Sequence, residues 1–338
     1  MSGRDAPSAP PRAHRDRGER VAAIDIGTNS VLLTIAAIGE TAAAPGRRAL
    51  VPVDERATIT RLGEGVDKTR ALGSAAVERT LACLTEYAAA IAEAGVSRVD
   101  AVGTSAMRDA AGGAAFAERA EAILGVRPRV ISGDEEARLT FVGGLSGLGL
   151  RADSVLVFDI GGGSTELIVG SSEPERVDRA VSLDVGSVRL TERHLPSDPP
   201  SPTEIAALEA DLDAALAAFE VPPVDAVVGV AGTVTSIAAI ARSVDPYDAS
   251  VIHGMRLGAD EVREAARLLD RLSVAERTRL PGLSPKRADV IAAGAHICAR
   301  VLERAGATEL VVSDRGVRWG LLHAMLPALG TGRAPETV

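Results

Sequence analysis

One short pattern, written twice, constrains this chain more than any other feature. Val21-Ala-Ala-Ile-Asp25-Ile-Gly27-Thr-Asn-Ser30-Val-Leu-Leu-Thr-Ile-Ala36 is an apolar run that meets an Asp, crosses a small polar turn and returns as a second apolar run. Val155-Leu-Val-Phe-Asp159-Ile-Gly161-Gly-Gly-Ser164-Thr-Glu166-Leu-Ile-Val-Gly170 repeats it 134 residues later. Asp25, Ile26, Gly27, Ser30 and Leu33 fall on Asp159, Ile160, Gly161, Ser164 and Leu167. Both segments read as β-hairpins whose loops could hold a phosphate. Identities at the chemically special positions point to a duplicated domain, and 338 residues suffice for two.

Between and after the hairpins the pattern is mixed. Helical periodicity covers 74–94, 114–124, a start at 133–143, 203–219, 260–272, 286–305 and 316–328. Strands are predicted at 100–104, 129–132, 225–230 and 309–312. Strands alternating with helices predict α/β sheets under helical cover. The domains are placed at 21–150 and 151–330, with 1–20 and 331–338 as disordered tails.

Five segments could carry chemistry. In Asp159-Ile-Gly161-Gly162-Gly163-Ser164-Thr-Glu166, three glycines let backbone amides approach a phosphate. Asp159 at a strand end can hold Mg2+, and Glu166 points to the same cleft only if the chain turns back as a hairpin. In Asp25-Ile-Gly27-Thr28-Asn29-Ser30, hydroxyl and amide groups face an anion, or satisfy only their own turn. Gly103-Thr-Ser-Ala-Met-Arg108-Asp109 is a strand end with small polar residues, and Arg108 either binds phosphate or pairs with Asp109. Ser132-Gly-Asp134-Glu135-Glu136-Ala-Arg138 reads by local physics as a capped helix start, with Ser132 and Glu135 as a capping box. Gly229-Val-Ala-Gly232-Thr233-Val-Thr235 is a strand running into a helix, a place for an anion or a plain turn.

Composition removes several classes. A net charge of -9 and 2% aromatic residues argue against nucleic acid as a partner. The basic residues are 35 Arg and two Lys, which supplies bidentate anion ligands. The five His show no metal-ligand spacing, so any metal is carboxylate-bound and suits Mg2+. There is no GxxxxGK[ST] loop, no GxGxxG and no GxSxG elbow. No apolar run reaches the roughly 18 residues of a membrane span, and 1–20 has no signal-peptide core. Cys83 and Cys298 are expected to be buried free thiols, which fits the cytoplasm.

Tandem Asp-Ile-Gly hairpins resemble the superfamily of acetate and sugar kinases, heat-shock ATPases and actin. Within it the chain resembles the exopolyphosphatase / guanosine pentaphosphate phosphohydrolase (Ppx/GppA) family. The resemblance rests on both loops, on Gly103–Arg108, on Ile131-Ser-Gly-Asp-Glu-Glu136-Ala-Arg-Leu, on Gly229–Thr235 and on Val312-Ser-Asp-Arg-Gly316. It spans about 21–328, the short form without the extra helical domains of longer members. It implies two actin-like (ribonuclease H-like) domains around an interdomain cleft.

The resemblance also implies roles. Glu136 becomes the catalytic base, Asp159 and Glu166 the metal-linked acids, and Arg108 a substrate-phosphate contact. Asp25, Gly27, Thr28, Asn29, Ser30, Gly161, Gly162, Gly163, Ser164, Gly232 and Thr233 become substrate-binding positions. The implied activity is Mg2+-dependent release of orthophosphate from the ends of inorganic polyphosphate. The alternatives are hydrolysis of the 5′ γ-phosphate of pppGpp, a non-catalytic (p)ppGpp-binding regulator, and a kinase. A homodimer is the protein partner kept open.

Overall fold

Both hairpins grow into sheets of the same design. The computed structural model describes residues 19–41 and 44–326, so nearly all of the two expected tails lies outside the described residues. The first sheet contains β1 (Arg20–Ile26), β2 (Ser30–Thr41), β3 (Ala44–Ile59), β4 (Arg98–Gly103) and β5 (Arg129–Val130), in the order β3-β2-β1-β4-β5. The second contains β6 (Val155–Ile160), β7 (Thr165–Ser172), β8 (Glu175–Leu183), β9 (Ala226–Val230), β10 (Arg256–Gly258) and β11 (Glu309–Val312), in the order β10-β11-β9-β6-β7-β8. In each, three antiparallel strands are followed by strands parallel to the first. β10 is an added antiparallel edge. The sequence pattern predicts neither β3 and β8, the third strands of the meanders, nor the edge strand β10, nor the helix Ser187–His194.

The central strands are apolar on both faces because both faces are covered. Successive side chains point to opposite sides. Ala22, Ile24 and Ile26 therefore pack under the helices Ser74–Ala94 and Gly113–Leu124, while Val21 and Ala23 pack on Val317, Trp319 and Leu322. In β6, Leu156, Phe158 and Ile160 face the large helical layer of Pro202–Leu216, Ala231–Arg242, Ala259–Arg271 and Ile291–Arg304, and Val155 and Val157 face Ala137 and Phe141.

Two helices thus pack against the sheet that chain order would not assign them. Helix Gly133–Leu145 precedes β6 yet lies on the second sheet. Helix Val317–Met325 comes last yet lies on the first. They also pack on each other, so closely that a Cβ on Gly320 would stand 2.1 Å from the Leu139 carbonyl oxygen. This crossing places Glu136 between the sheets. Among the described residues, no helix is long and apolar enough to cross a membrane.

Candidate active site

Both hairpins close their loops alike. Gly27 N–H donates to the Ser30 carbonyl at 2.9 Å, and Gly161 N–H to the Ser164 carbonyl at 3.0 Å. The loops meet at the mouth between the sheets: a Cβ on Gly162 would lie 3.1 Å from Asn29 Cβ and 3.2 Å from Thr28 Cγ2. That approach needs glycine. Behind the loops lies a cavity of about 120 Å³.

Thirteen of the fifteen residues expected at the site line this cavity: Asp25, Gly27, Thr28, Asn29, Ser30, Glu136, Asp159, Gly161, Gly162, Ser164, Glu166, Gly232 and Thr233. The other two do not. Arg108 turns its Nη1 to Glu136 Oε2 at 3.0 Å and to the Ile131 carbonyl at 3.2 Å, with Asp109 at 3.4 Å from Nε. From the five-residue helix Ser105–Asp109, Arg108 thus holds the carboxylate of Glu136 and also makes the pairing with Asp109 that the sequence left as its alternative. Gly163 faces a smaller pocket, its carbonyl taken by Arg189 Nε at 2.7 Å.

Besides Asp314, four carboxylates share the cavity: Asp25, Glu136, Asp159 and Glu166. Asp159 and Glu166 are direct partners across β6 and β7, as Asp25 and Leu32 are across β1 and β2. Cross-strand partners share a face, so the hairpin does bring Glu166 beside Asp159. Ser182 Oγ donates to Glu166 at 2.7 Å. Glu136 comes from the first turn of its helix, which Ser132 caps by accepting from Glu135 N–H at 3.2 Å. The reciprocal half of the capping box is absent: the Glu135 side chain pairs with Arg129 at 2.8 Å.

Burial raises the pKa of all four, and for Asp25, Glu136 and Asp159 repulsion by neighbouring carboxylates adds to it. Asp25 is pushed up to about 7 by burial, against the pull of Arg318. Glu136 is raised by burial and by Glu166, with Arg108 working the other way. Asp159 is raised by burial, Glu166 and Asp25. Glu166 is raised by burial despite hydrogen bonds from Ser182 and Ser164.

Such a cluster calls for positive charge, and a divalent cation would reverse this pKa pattern. Asp25 Oδ1 is buried without a hydrogen-bond partner. Yet among the described residues no three His, Cys, Asp or Glu side chains converge as a ready-made ligand set. One or two carboxylates plus water and phosphate oxygens is the arrangement Mg2+ favours, so the residues fit that ion.

Ser187, Arg287 and Arg318 line the cavity from outside the segments singled out in the sequence, and Ser105 and Asp314 line it from within those segments though the sequence assigns neither a role. Ser105 Oγ lies 2.8 Å from Thr28 Oγ1. Arg318 is buried and four residues beyond Asp314, with its Nη2 3.5 Å from that carboxylate. The signal for them is the three charged groups Asp314, Arg315 and Arg318 in the apolar surroundings of 310–322; a charge such as Arg318 is buried there only with partners. The helix Ala231–Arg242 opens at the cavity with no side-chain cap, leaving its first N–H groups to face it.

Comparison with known proteins gives the same picture. The family model described as the Ppx/GppA phosphatase family matches residues 37–329. Exopolyphosphatase 2 of Mycobacterium tuberculosis is 38% identical over 315 residues, covering 89% of this chain and 97% of that protein. The crystal structure of the Aquifex aeolicus Ppx/GppA family member superposes with a TM-score of 0.76 at 36% identity, covering 90% of this chain and 97% of that one. The structure of an exopolyphosphatase from Cytophaga hutchinsonii, at 24% identity, shares the fold with a TM-score of 0.82 over 91% of this chain and 98% of that one. With its duplicated actin-like sheets and a match along most of its length, the chain belongs to the Ppx/GppA phosphatase family.

Proposed function

We propose that the protein is an exopolyphosphatase that hydrolyses the terminal phosphoanhydride of inorganic polyphosphate and releases orthophosphate. The observation that carries this reading is the position of Glu136, held by Arg108 in a cavity walled by both hairpin loops. The 38% identity to an exopolyphosphatase supports the same substrate.

In this reading the terminal phosphate lies between the loops of Thr28–Ser30 and Gly161–Ser164 and the start of the helix at Gly232 and Thr233. Their amides and hydroxyls take its oxygens, with Arg318 behind them. Glu136 accepts a proton from the attacking water. Arg108 orients that carboxylate and favours its charged form. Asp159 and Glu166 would hold Mg2+, with Asp25 nearby. When bound, the ion offsets the charge of the carboxylates and of the departing phosphate oxygen.

Orthophosphate release from short and long polyphosphate, pppGpp and ATP tests the reading. Glu136→Ala should lower turnover by about 10²–10⁴-fold while polyphosphate still binds. Turnover at the wild-type rate in that variant would refute the assignment. Excess chelator should abolish release, because carboxylates and phosphate repel without a cation; full activity in chelator would refute the metal role.

A second reading has its own observation. A groove of about 880 Å³ continues from the cavity, shares Gly232, Arg287 and Arg318 with it, and includes Tyr247. A ring 40% exposed on that wall is a platform for a nucleoside, which favours pppGpp. A rate on pppGpp above that on polyphosphate would make this the primary substrate. We place the protein in the cytoplasm on its two buried free thiols, and light scattering would test the homodimer.

A further inference from the structure

Ion pairs from the segment 61–67 tie the two halves together at two points. At one, Arg189 is buried, and it joins Asp67 at 2.7 Å and the Gly163 carbonyl at 2.7 Å. The other is built differently. Arg61 follows β3 with a φ of 54°, a conformation uncommon for a residue with a side chain. Its amide, at 3.0 Å, and that of Thr60, at 3.1 Å, both donate to the Asn29 carbonyl. The strained backbone is thereby fixed to the first hairpin loop.

The Arg61 side chain reaches the other half. Nη1 and Nη2 donate to the two carboxylate oxygens of Asp289 at 2.6 and 2.8 Å, and Nη2 also to the Lys286 carbonyl at 2.8 Å. Two residues before Asp289, Arg287 donates to the Gly232 carbonyl at 2.8 Å and to Ser236 Oγ at 3.2 Å. Just after it, Val290 and Ile291 line the cavity. Neither Arg61 nor Asp289 lines the cavity or the groove. The pair therefore connects the loop of Asn29 with the loop of Gly232 without occupying substrate space.

We propose that Arg61 is a positioning residue which, through Asp289, latches the halves closed and sets the spacing of these two loops around a phosphoanhydride. A bidentate fork fixes direction as well as distance, which a lysine ammonium cannot do. The two side chains are 30% and 35% exposed, so the latch is reversible and salt-sensitive. The choice of ligand rests on the hydrolase reading; the latch itself does not.

The test uses the full chain in excess Mg2+ with inorganic tripolyphosphate as probe. Arg61→Glu, Asp289→Arg and the double exchange are compared in kcat, KM, thermal midpoint and the radius of gyration from X-ray scattering. Each single change should lower kcat/KM about five-fold, the ratio for an exposed pair of about 1 kcal/mol, mainly through KM, and should enlarge the radius of gyration. The double exchange should recover most of both, and Arg61→Lys should lie between. High salt should erase the wild-type advantage. Unchanged radius and KM in the single variants would overturn the latch. So would losses that follow the thermal midpoint and are not recovered by the exchange. If the wild type releases no orthophosphate from any phosphoanhydride, the hydrolase reading fails, and the scattering comparison still decides the latch.

Discussion

The hairpins at Asp25 and Asp159 are one backbone with two chemistries. Each runs an Asp to the end of a central strand, turns through a Gly–Ser closure and returns beside it. The residue paired with the Asp differs: Leu32 in the first, Glu166 in the second. The loop differs as well, Thr28-Asn29 against Gly162-Gly163. The second hairpin therefore concentrates negative charge and offers bare backbone. The first offers hydroxyl and amide groups around a single buried carboxylate. On one symmetric frame, side chains at two or three positions make the second hairpin the richer in carboxylates and the first the richer in side-chain donors.

Neutralising each Asp in turn should separate the two hairpins by the largest effect. Asp159→Asn should lower turnover about 10²–10³-fold, the scale of losing a group aimed at developing charge, and should raise the Mg2+ concentration needed. Asp25→Asn should cost about ten-fold, nearer the effect of a supporting group, with little change in Mg2+ demand. Steady-state rates across a Mg2+ titration check both. Equal losses with equal shifts in Mg2+ demand would mean the hairpins share the ion symmetrically.

A smaller effect tests how closely the loops meet. Gly162→Ala places a methyl 3.1–3.2 Å from Asn29 and Thr28. Overpacking of this kind costs about 1–3 kcal/mol, read as a lower thermal midpoint and a higher KM. Thr28→Ser removes one of the crowded methyls and keeps the hydroxyl that meets Ser105. Combining the two changes should recover part of the loss. No recovery would mean that Asn29 or Val188, whose Cγ2 would lie 3.2 Å from the added methyl, sets the approach.

These residues also show where the sequence was informative. Asp25 and Asp159 stand out in the sequence because an internal repeat marks positions that local propensity does not explain, whereas Glu166, which falls on Leu32 in that repeat, joins them only through the cross-strand pairing of the hairpin. Glu136 was not legible by itself: its helix start satisfies capping rules, and its place in the cavity depends on a helix crossing to the other sheet. The pairing of Arg108 with Glu136, 28 residues apart in sequence, leaves no local trace. β8 was passed over because, beside β7, it is largely exposed and charged, Glu175-Arg-Val-Asp-Arg in its first half. It pairs as an edge strand, where such residues are tolerated. Arg61 lies at a positive φ without glycine to announce it.

A control outside both hairpins sharpens the comparison by separating stability from catalysis. His296 is buried in the helical layer of the second sheet, with Nδ1 3.1 Å from Glu209 and Nε2 3.0 Å from Asp270. Burial disfavours its imidazolium, but the hydrogen bonds and charges of Asp270 and Glu209 outweigh that, so its pKa lies above the ordinary value. A folded-state pKa raised above the unfolded one gives stability that is fully present below about 6.5. That stability is lost as pH rises through the raised folded-state value. Urea midpoints of the wild type and His296→Gln should therefore differ most at low pH and converge as pH rises. Both proteins should keep the same turnover per folded molecule, since His296 touches neither loop. Asp159→Asn should show the opposite combination, a large loss of rate with no such convergence in stability. Parallel pH profiles for wild type and His296→Gln would show that the two carboxylates do not hold a charged imidazolium there.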